Sequence, residues 1–347
     1  MSTLSKFIKM RISKKLAVLS IISLMFLGNS SLQAQSRNAR GNTFTYEEIY
    51  DSPYDINKLF LMIQPLYGEL FVANVNVGFG LEAQYYLKDK MDFRVHGRKT
   101  YTKRFDFSRD VAEKNSNVEN LPNVYNYFEV GATYHIVDKE SDSETRMVLY
   151  SKRYKGRKWA AKVPDHAIIP SKVRKIYGVR LGGLSYDTST DLDRALVKQE
   201  VVLQDKNGVA INDEAVIFGN LNAQAIYLGG SAAWIKNFMI KPDRNYSELA
   251  SDLIFTTFID VMYAPNVAVD DVLYKGETYS TENLKLNNIG FRAGMEGKFN
   301  RAFSWAYGAE IGFRPGIKHR GFYTLIKISF PVISTKLQHQ KEAFGRE

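Results

Sequence analysis

The chain has 347 residues, 45% of them hydrophobic and 13% aromatic, with 24 Gly, 9 Pro and no Cys. The lack of cysteine excludes disulfide frameworks, cysteine-ligated metal or iron–sulfur centres, thiol nucleophiles and a lipid anchor through an N-terminal Cys. The formal net charge of +10 is partly a leader effect, since residues 1–34 hold five basic side chains and no acidic one, leaving about +5 elsewhere; a nucleic-acid partner is not expected from such a balance.

Residues 1–34 read as a signal peptide. Lys6, Lys9, Arg11, Lys14 and Lys15 precede an apolar core, Leu16 to Leu27, and cleavage is expected after Ala34. Export of a cysteine-free chain suggests a Gram-negative envelope. Residues 35–57 are then expected to form a periplasmic N-terminal segment. Leu59–Leu66 is the first expected strand, and Pro65 requires it to end or bulge there.

The clearest pattern is Asn74–Leu87. Val75, Val77, Phe79, Leu81, Ala83, Tyr85 and Leu87 share one face, whereas Asn74, Asn76, Gly78, Gly80, Glu82 and Gln84 share the other. Such alternation marks a strand that separates two solvents. It returns at Phe128–Ile136, around Tyr177, at Leu253–Tyr263, from Ile289 to Lys298, and from Phe303 to Arg314. The polar faces mix glycine with isolated charges, which suits a crowded lumen better than an exposed sheet. Tyr85, Tyr134, Tyr177, Tyr263, Phe299 and Phe303 lie near strand ends, as interfacial aromatic girdles require.

Short turns are expected at Lys88–Lys90 and Phe299–Ala302, and long polar connections at Asp106–Leu121, Lys152–Pro170, Asp187–Ala215 and Pro242–Ala250. Within the third, Asp205-Lys206-Asn207-Gly208 carries a hairpin signal. A final strand over about 319–332 places the Asn300-Arg301 turn on the periplasmic side and Pro315–Lys318 outside. The reading is all-β: a closed antiparallel transmembrane β-barrel of about twelve strands (10–14), spanning residues 58–334, with long polar external loops and a polar C-terminal tail, residues 335–347.

The leader ending Gln33-Ala34-Gln35, the strand Gly80 to Tyr85 and the final Gly321 to Phe330 run resemble outer-membrane β-barrels of Bacteroidota. That resemblance covers nearly all of residues 35–347, as a pattern only. It implies either porin-like channels or the accessory barrels of type IX secretion and gliding assemblies. The Thr335–Glu347 tail departs from it, because such barrels usually end on the aromatic residue of their last strand.

Fourteen inward-facing residues are the candidate site: Glu82, Arg94, His96, Arg98, Glu129, His135, Arg180, Asp260, Arg292, Glu296, Lys298, Glu310, Arg314 and Lys327. Interleaved signs suit either a closed lumen filled by ion pairs or an anion-favouring pore. No histidine spacing supplies convergent metal ligands, no cofactor is expected, and no G-x-S-x-G elbow marks a nucleophile, so the chain reads as non-enzymatic. A basic run of Lys152, Arg153, Lys155, Arg157 and Lys158, read as part of an external loop, would contact lipopolysaccharide phosphates. Envelope proteins are further expected partners, through the external loops or the tail. The favoured function is an accessory envelope barrel. A narrow porin-like channel and a soluble periplasmic β-sandwich binding protein are the alternatives.

Overall fold

The computed structural model describes residues 45–71, 74–87, 90–149, 165–211, 215–242, 248–301 and 304–334. Ten strands close into an antiparallel barrel, and each neighbours the next in sequence: β1 (Leu59–Phe71), β2 (Asn74–Leu87), β3 (Met91–Thr100), β4 (Asn126–Leu149), β5 (Asp165–Asp191), β6 (Phe218–Ile235), β7 (Leu253–Val269), β8 (Ile289–Phe299), β9 (Ala306–Phe313) and β10 (Phe322–Ser334). The last pairs with the first, Tyr323 opposite Phe71, so no edge of the barrel sheet stays open.

Ten strands replace the expected twelve for two reasons. β4 and β5 are 24 and 27 residues long and consume chain that even strands would divide further. Val272–Tyr274 and Glu277–Ser280 pair as a hairpin outside the barrel. Pro65 produces a bulge rather than an end: the β1–β2 register slips between Gln64 and Tyr67, and the strand runs on to Phe71.

The faces are assigned by exposure. On β2, Leu81 is 63% exposed and Glu82 5%, and the same inversion recurs around the barrel. Apolar side chains point outward on all ten strands, from Ile63, Leu81 and Val95 to Val130, Leu181, Leu228, Val261, Phe291, Ile311 and Ile326. A sandwich would bury that face, so the β-sandwich alternative does not describe this chain.

The two ends differ. One holds the start of β1, the end of β10, and the connections after β2, β6 and β8. A three-stranded sheet of Tyr46–Asp51, Phe238–Pro242 and Leu249–Ser251 lies there. β4 and β5 run past this rim, pairing as far as Leu149 with Asp165. Lys172 N–H donates to the Asp51 carboxylate (2.8 Å), and Lys236 Nζ to Thr145 Oγ1 (2.9 Å), tying the extension to its surroundings.

The opposite end is built from the loops after β1, β3, β5, β7 and β9. The segment read as a polar loop from Asp106 holds a helix, α1 (Phe107–Asn115), capped by the Asp106 carboxylate accepting from Arg109 N–H. The expected Asp205–Gly208 turn forms, with Gly208 at φ 80°, beside a second short helix, α2 (Asp193–Gln199). Pro315–Lys318 is more than a turn, since Gly316–Ile317 pairs with Leu286–Asn287.

β4 and β5 extend from the terminal end, and the Asp165–Pro170 part of the expected Lys152–Pro170 connection is strand. The basic run itself, Lys152, Arg153, Lys155, Arg157 and Lys158, lies outside the described residues, as do the leader and the C-terminal tail.

Candidate functional site: the barrel interior

Inward positions bring the charges into three connected groups. Near the loop end, Arg314 donates from both terminal nitrogens to Glu69 (2.7 Å each), and Tyr125 OH donates to the same carboxylate (3.1 Å). Arg98 stands 3.8 Å from Glu69, with its guanidinium 4.0 Å above the Tyr127 ring. That geometry is a cation–π contact in a water-poor setting. The Arg314 guanidinium lies 3.9 Å from the Tyr323 ring centre.

At mid-height Arg292 is the hub. It donates to Glu129 (2.6 and 2.9 Å) and Asp260 (2.8 Å), and Glu310 lies 3.9 Å away. Arg180 donates to the other Asp260 oxygen (3.0 Å), and Tyr127 OH to Glu129 (2.6 Å). The wall makes room with glycine: the Tyr227 ring lies across Gly131 and Gly182, and a Cβ at Gly229 would collide with the Asp260 carboxylate.

Toward the terminal end, Lys327 bridges Glu82 (2.8 Å) and Glu296 (2.7 Å), and Arg94 reaches Glu296 (2.5 Å) and Glu82 (4.0 Å). Lys298 donates to Gln84, whose amide donates to Asp92 (3.1 Å). His135 pairs with Asp92 (3.1 Å) rather than with Glu129 on its own strand, and His96 meets Gln64 (2.7 Å). All fourteen candidates therefore face the interior.

Three participants escape a sequence reading. Glu69 lies beyond Pro65, where the first expected strand stops. The resumed alternation Tyr67, Glu69, Phe71 is the signal that finds it. Asp92 opens the run Asp92, Arg94, His96, Arg98 and shares its face. Tyr127 precedes the Phe128–Ile136 pattern by one residue and lines the same face as Glu129.

The arrangement sums to neutrality. Among the described residues the central network holds the cations Arg94, Arg98, Arg180, Arg292, Lys298, Arg314 and Lys327, while Arg174, also inward on β5 but at the terminal rim, pairs separately with Asp138. The network's anions are Glu69, Glu82, Asp92, Glu129, Asp260, Glu296 and Glu310. Seven charges of each sign balance in this network, and the Arg174–Asp138 pair adds one of each. A residual cavity of ≈ 20 Å³, bordered by Glu82, Gln84, Glu296, Lys298 and Lys327, has room for about one water molecule.

Both mouths are covered. At the loop end Tyr67, Phe71, Tyr186 and Leu221 pack with Leu203, Ile217 and Ile317 from the loops. Asp106 anchors this cover by accepting from the Asn74 amide (2.5 Å) and Tyr125 N–H (3.0 Å); burial lifts its carboxyl above the ordinary value, against these hydrogen bonds. At the terminal end Ile56, Phe60, Met62, Tyr86 and Ile254 form a second apolar layer. There Asn57 N–H donates to Asn300 Oδ1, and the Asn57 amide to Asn300 O, both at 2.7 Å. No group of His, Cys, Asp or Glu suited to a metal ion occurs among the described residues.

No family model matches the chain, and no curated protein matches it. Among solved structures it is similar to the CymD monoaromatic hydrocarbon channel, at 10% identity and a TM-score of 0.21, over 80% of this chain and 88% of that one. It is also similar to a mutant form of the TodX monoaromatic hydrocarbon channel, at 12% identity and a TM-score of 0.18, over 79% of this chain and 89% of that one. Neither similarity points to Bacteroidota.

Proposed function

We propose that the chain is a closed outer-membrane β-barrel with a structural or accessory role in the cell envelope, working through its two ends rather than through its middle. The membrane placement is supported by the outward apolar face. On β10 this face runs from Phe322 to Val332, about 33 Å of strand, or about 25 Å along the axis at a ~40° tilt, which matches the height of a barrel's lipid-facing band. An exposed apolar surface that encircles the molecule is otherwise unsupported in water. The loop end then faces outward, and the terminal end, with its three-stranded sheet and the β4–β5 extension, faces the periplasm.

The observation that carries the accessory reading is the interior itself: neutral, ion-paired, and covered at both mouths. The extension and sheet offer surfaces to envelope partners. A role in a secretion or gliding assembly rests on family resemblance alone.

The second reading is a narrow porin-like diffusion channel. It requires the Arg292, Arg94 and Lys327 pairs to part and both apolar layers to move. Planar-bilayer recording separates the two. The closed reading expects no conductance steps from correctly folded protein, verified by a heat-modifiable gel band. Reproducible unitary steps would establish the channel.

A further inference from the structure

A depression of ≈ 290 Å³ is cut into the outer wall over β2, β3, β4 and the edge of β5, toward the loop end. It exists because Gly97 faces outward with no heavy atom within 4 Å of where a Cβ would stand. The preceding outward positions on the same strand, Phe93 and Val95, are bulky. Phe79 and Leu81 border one side and Phe128 the other, with Leu81 and Phe128 both cross-strand from Gly97.

Lys99 stands at the loop-end edge, opposite Phe79. Its ammonium is exposed and makes no ion pair or hydrogen bond with the described residues. Beyond it the aromatic surface continues, with Phe79 and Tyr101 ring centres 5.5 Å apart and Tyr101 and Phe105 5.9 Å apart. Phe105 and Phe107 are exposed. Arg104 lies beside Phe105, exposed and equally uncommitted, whereas Lys103 and Arg109 are both held by Glu113 (2.6 and 3.1 Å). Asp187 forms the far rim and accepts from the Asn222 amide (2.5 Å).

A furrow that is apolar along its length and cationic at one end is complementary to a molecule with a hydrocarbon chain and an anionic head. We infer that it binds a phosphorylated, acylated lipid of the outer leaflet. One chain lies over Gly97 between Phe79 and Phe128, and the phosphate is held by Lys99 and Arg104. The carboxylate of Asp187 keeps the phosphate on the Lys99 side by repulsion. Tyr101, an amphipathic ring flanked by Phe79 and Phe105, suits the headgroup depth at which the membrane reading puts this end. This inference rests on the membrane reading above.

Native mass spectrometry of the full chain released from detergent, with phosphorylated and dephosphorylated lipid A offered in parallel, tests it. The phosphorylated form should be retained preferentially, and excess inorganic phosphate should not displace it. Lys99→Gln and Arg104→Gln should each weaken retention about fivefold, from ~1 kcal/mol per cation near an anionic surface. Gly97→Leu, an outward substitution that leaves the interior untouched, should weaken both forms by filling the furrow.

Equal retention of the two lipids, or indifference to all three variants, overturns the site. Displacement by inorganic phosphate alone makes it a phosphate site and overturns the lipid assignment. Detergent dependence separates this failure from that of the membrane reading. A chain that stays monodisperse without detergent refutes both, whereas a detergent-requiring chain with no lipid preference refutes only the site.

Discussion

Arg292→Met is expected to destabilise the folded barrel by about 3–5 kcal/mol, because the variant strands carboxylates in a place without water to solvate them. Arg292 is 1% exposed and touches Glu129 and Asp260 directly, with Glu310 close by. Methionine preserves much of the volume, so the loss is electrostatic rather than a cavity effect. Asp260 keeps Arg180, but Glu129 keeps only the Tyr127 hydroxyl as a hydrogen-bond partner among the described residues. The urea midpoint of folded protein in micelles measures the change. Adding Glu129→Gln to Arg292→Met should recover part of the loss, since an absent pair costs much less than a broken one. An Arg292→Met protein as stable as the parent would contradict the interior network.

Ile326→Arg should cost about 2–4 kcal/mol when folding into lipid vesicles is titrated with urea. Ile326 is 65% exposed, on the outer face near the middle of β10, opposite Ala309 of β9 and Gly68 of β1. A surface substitution in water would stay within about 0.5 kcal/mol. The size of the effect is thus diagnostic: the position tolerates arginine if its surroundings are aqueous and resists it if they are hydrocarbon.

The alternation over Asn74–Leu87 is legible in sequence because an apolar outer surface and a polar interior write on one strand, side chain by side chain. The inward charges can be recovered from it, but their partners cannot. Arg314 meets Glu69 across 245 positions, and Lys327 meets Glu82 across the same separation. Such pairings depend on how a closed sheet staggers around its axis, which no local pattern encodes. Glu69 was hidden by a different cause, since the Pro65 bulge breaks the period just before it. The length of β4 is not legible either, because Asp138–Arg146 is polar on both faces and carries no alternation, although it is paired along its length with β5. A strand that leaves the barrel loses the two-solvent contrast that makes it recognisable. Likewise α1 covers the loop end with little apolar surface: Ser108 and Ala112 are its buried residues.

The chain's lack of cysteine permits the most direct measurement. Single substitutions Leu181→Cys and Ile326→Cys, spin-labelled and reconstituted into vesicles, report what surrounds the outer wall through collisions with oxygen and with a water-soluble nickel chelate. High oxygen and negligible chelate accessibility at both positions is the expected result. Free access of the chelate at either position would put that face of the barrel in water and contradict the account.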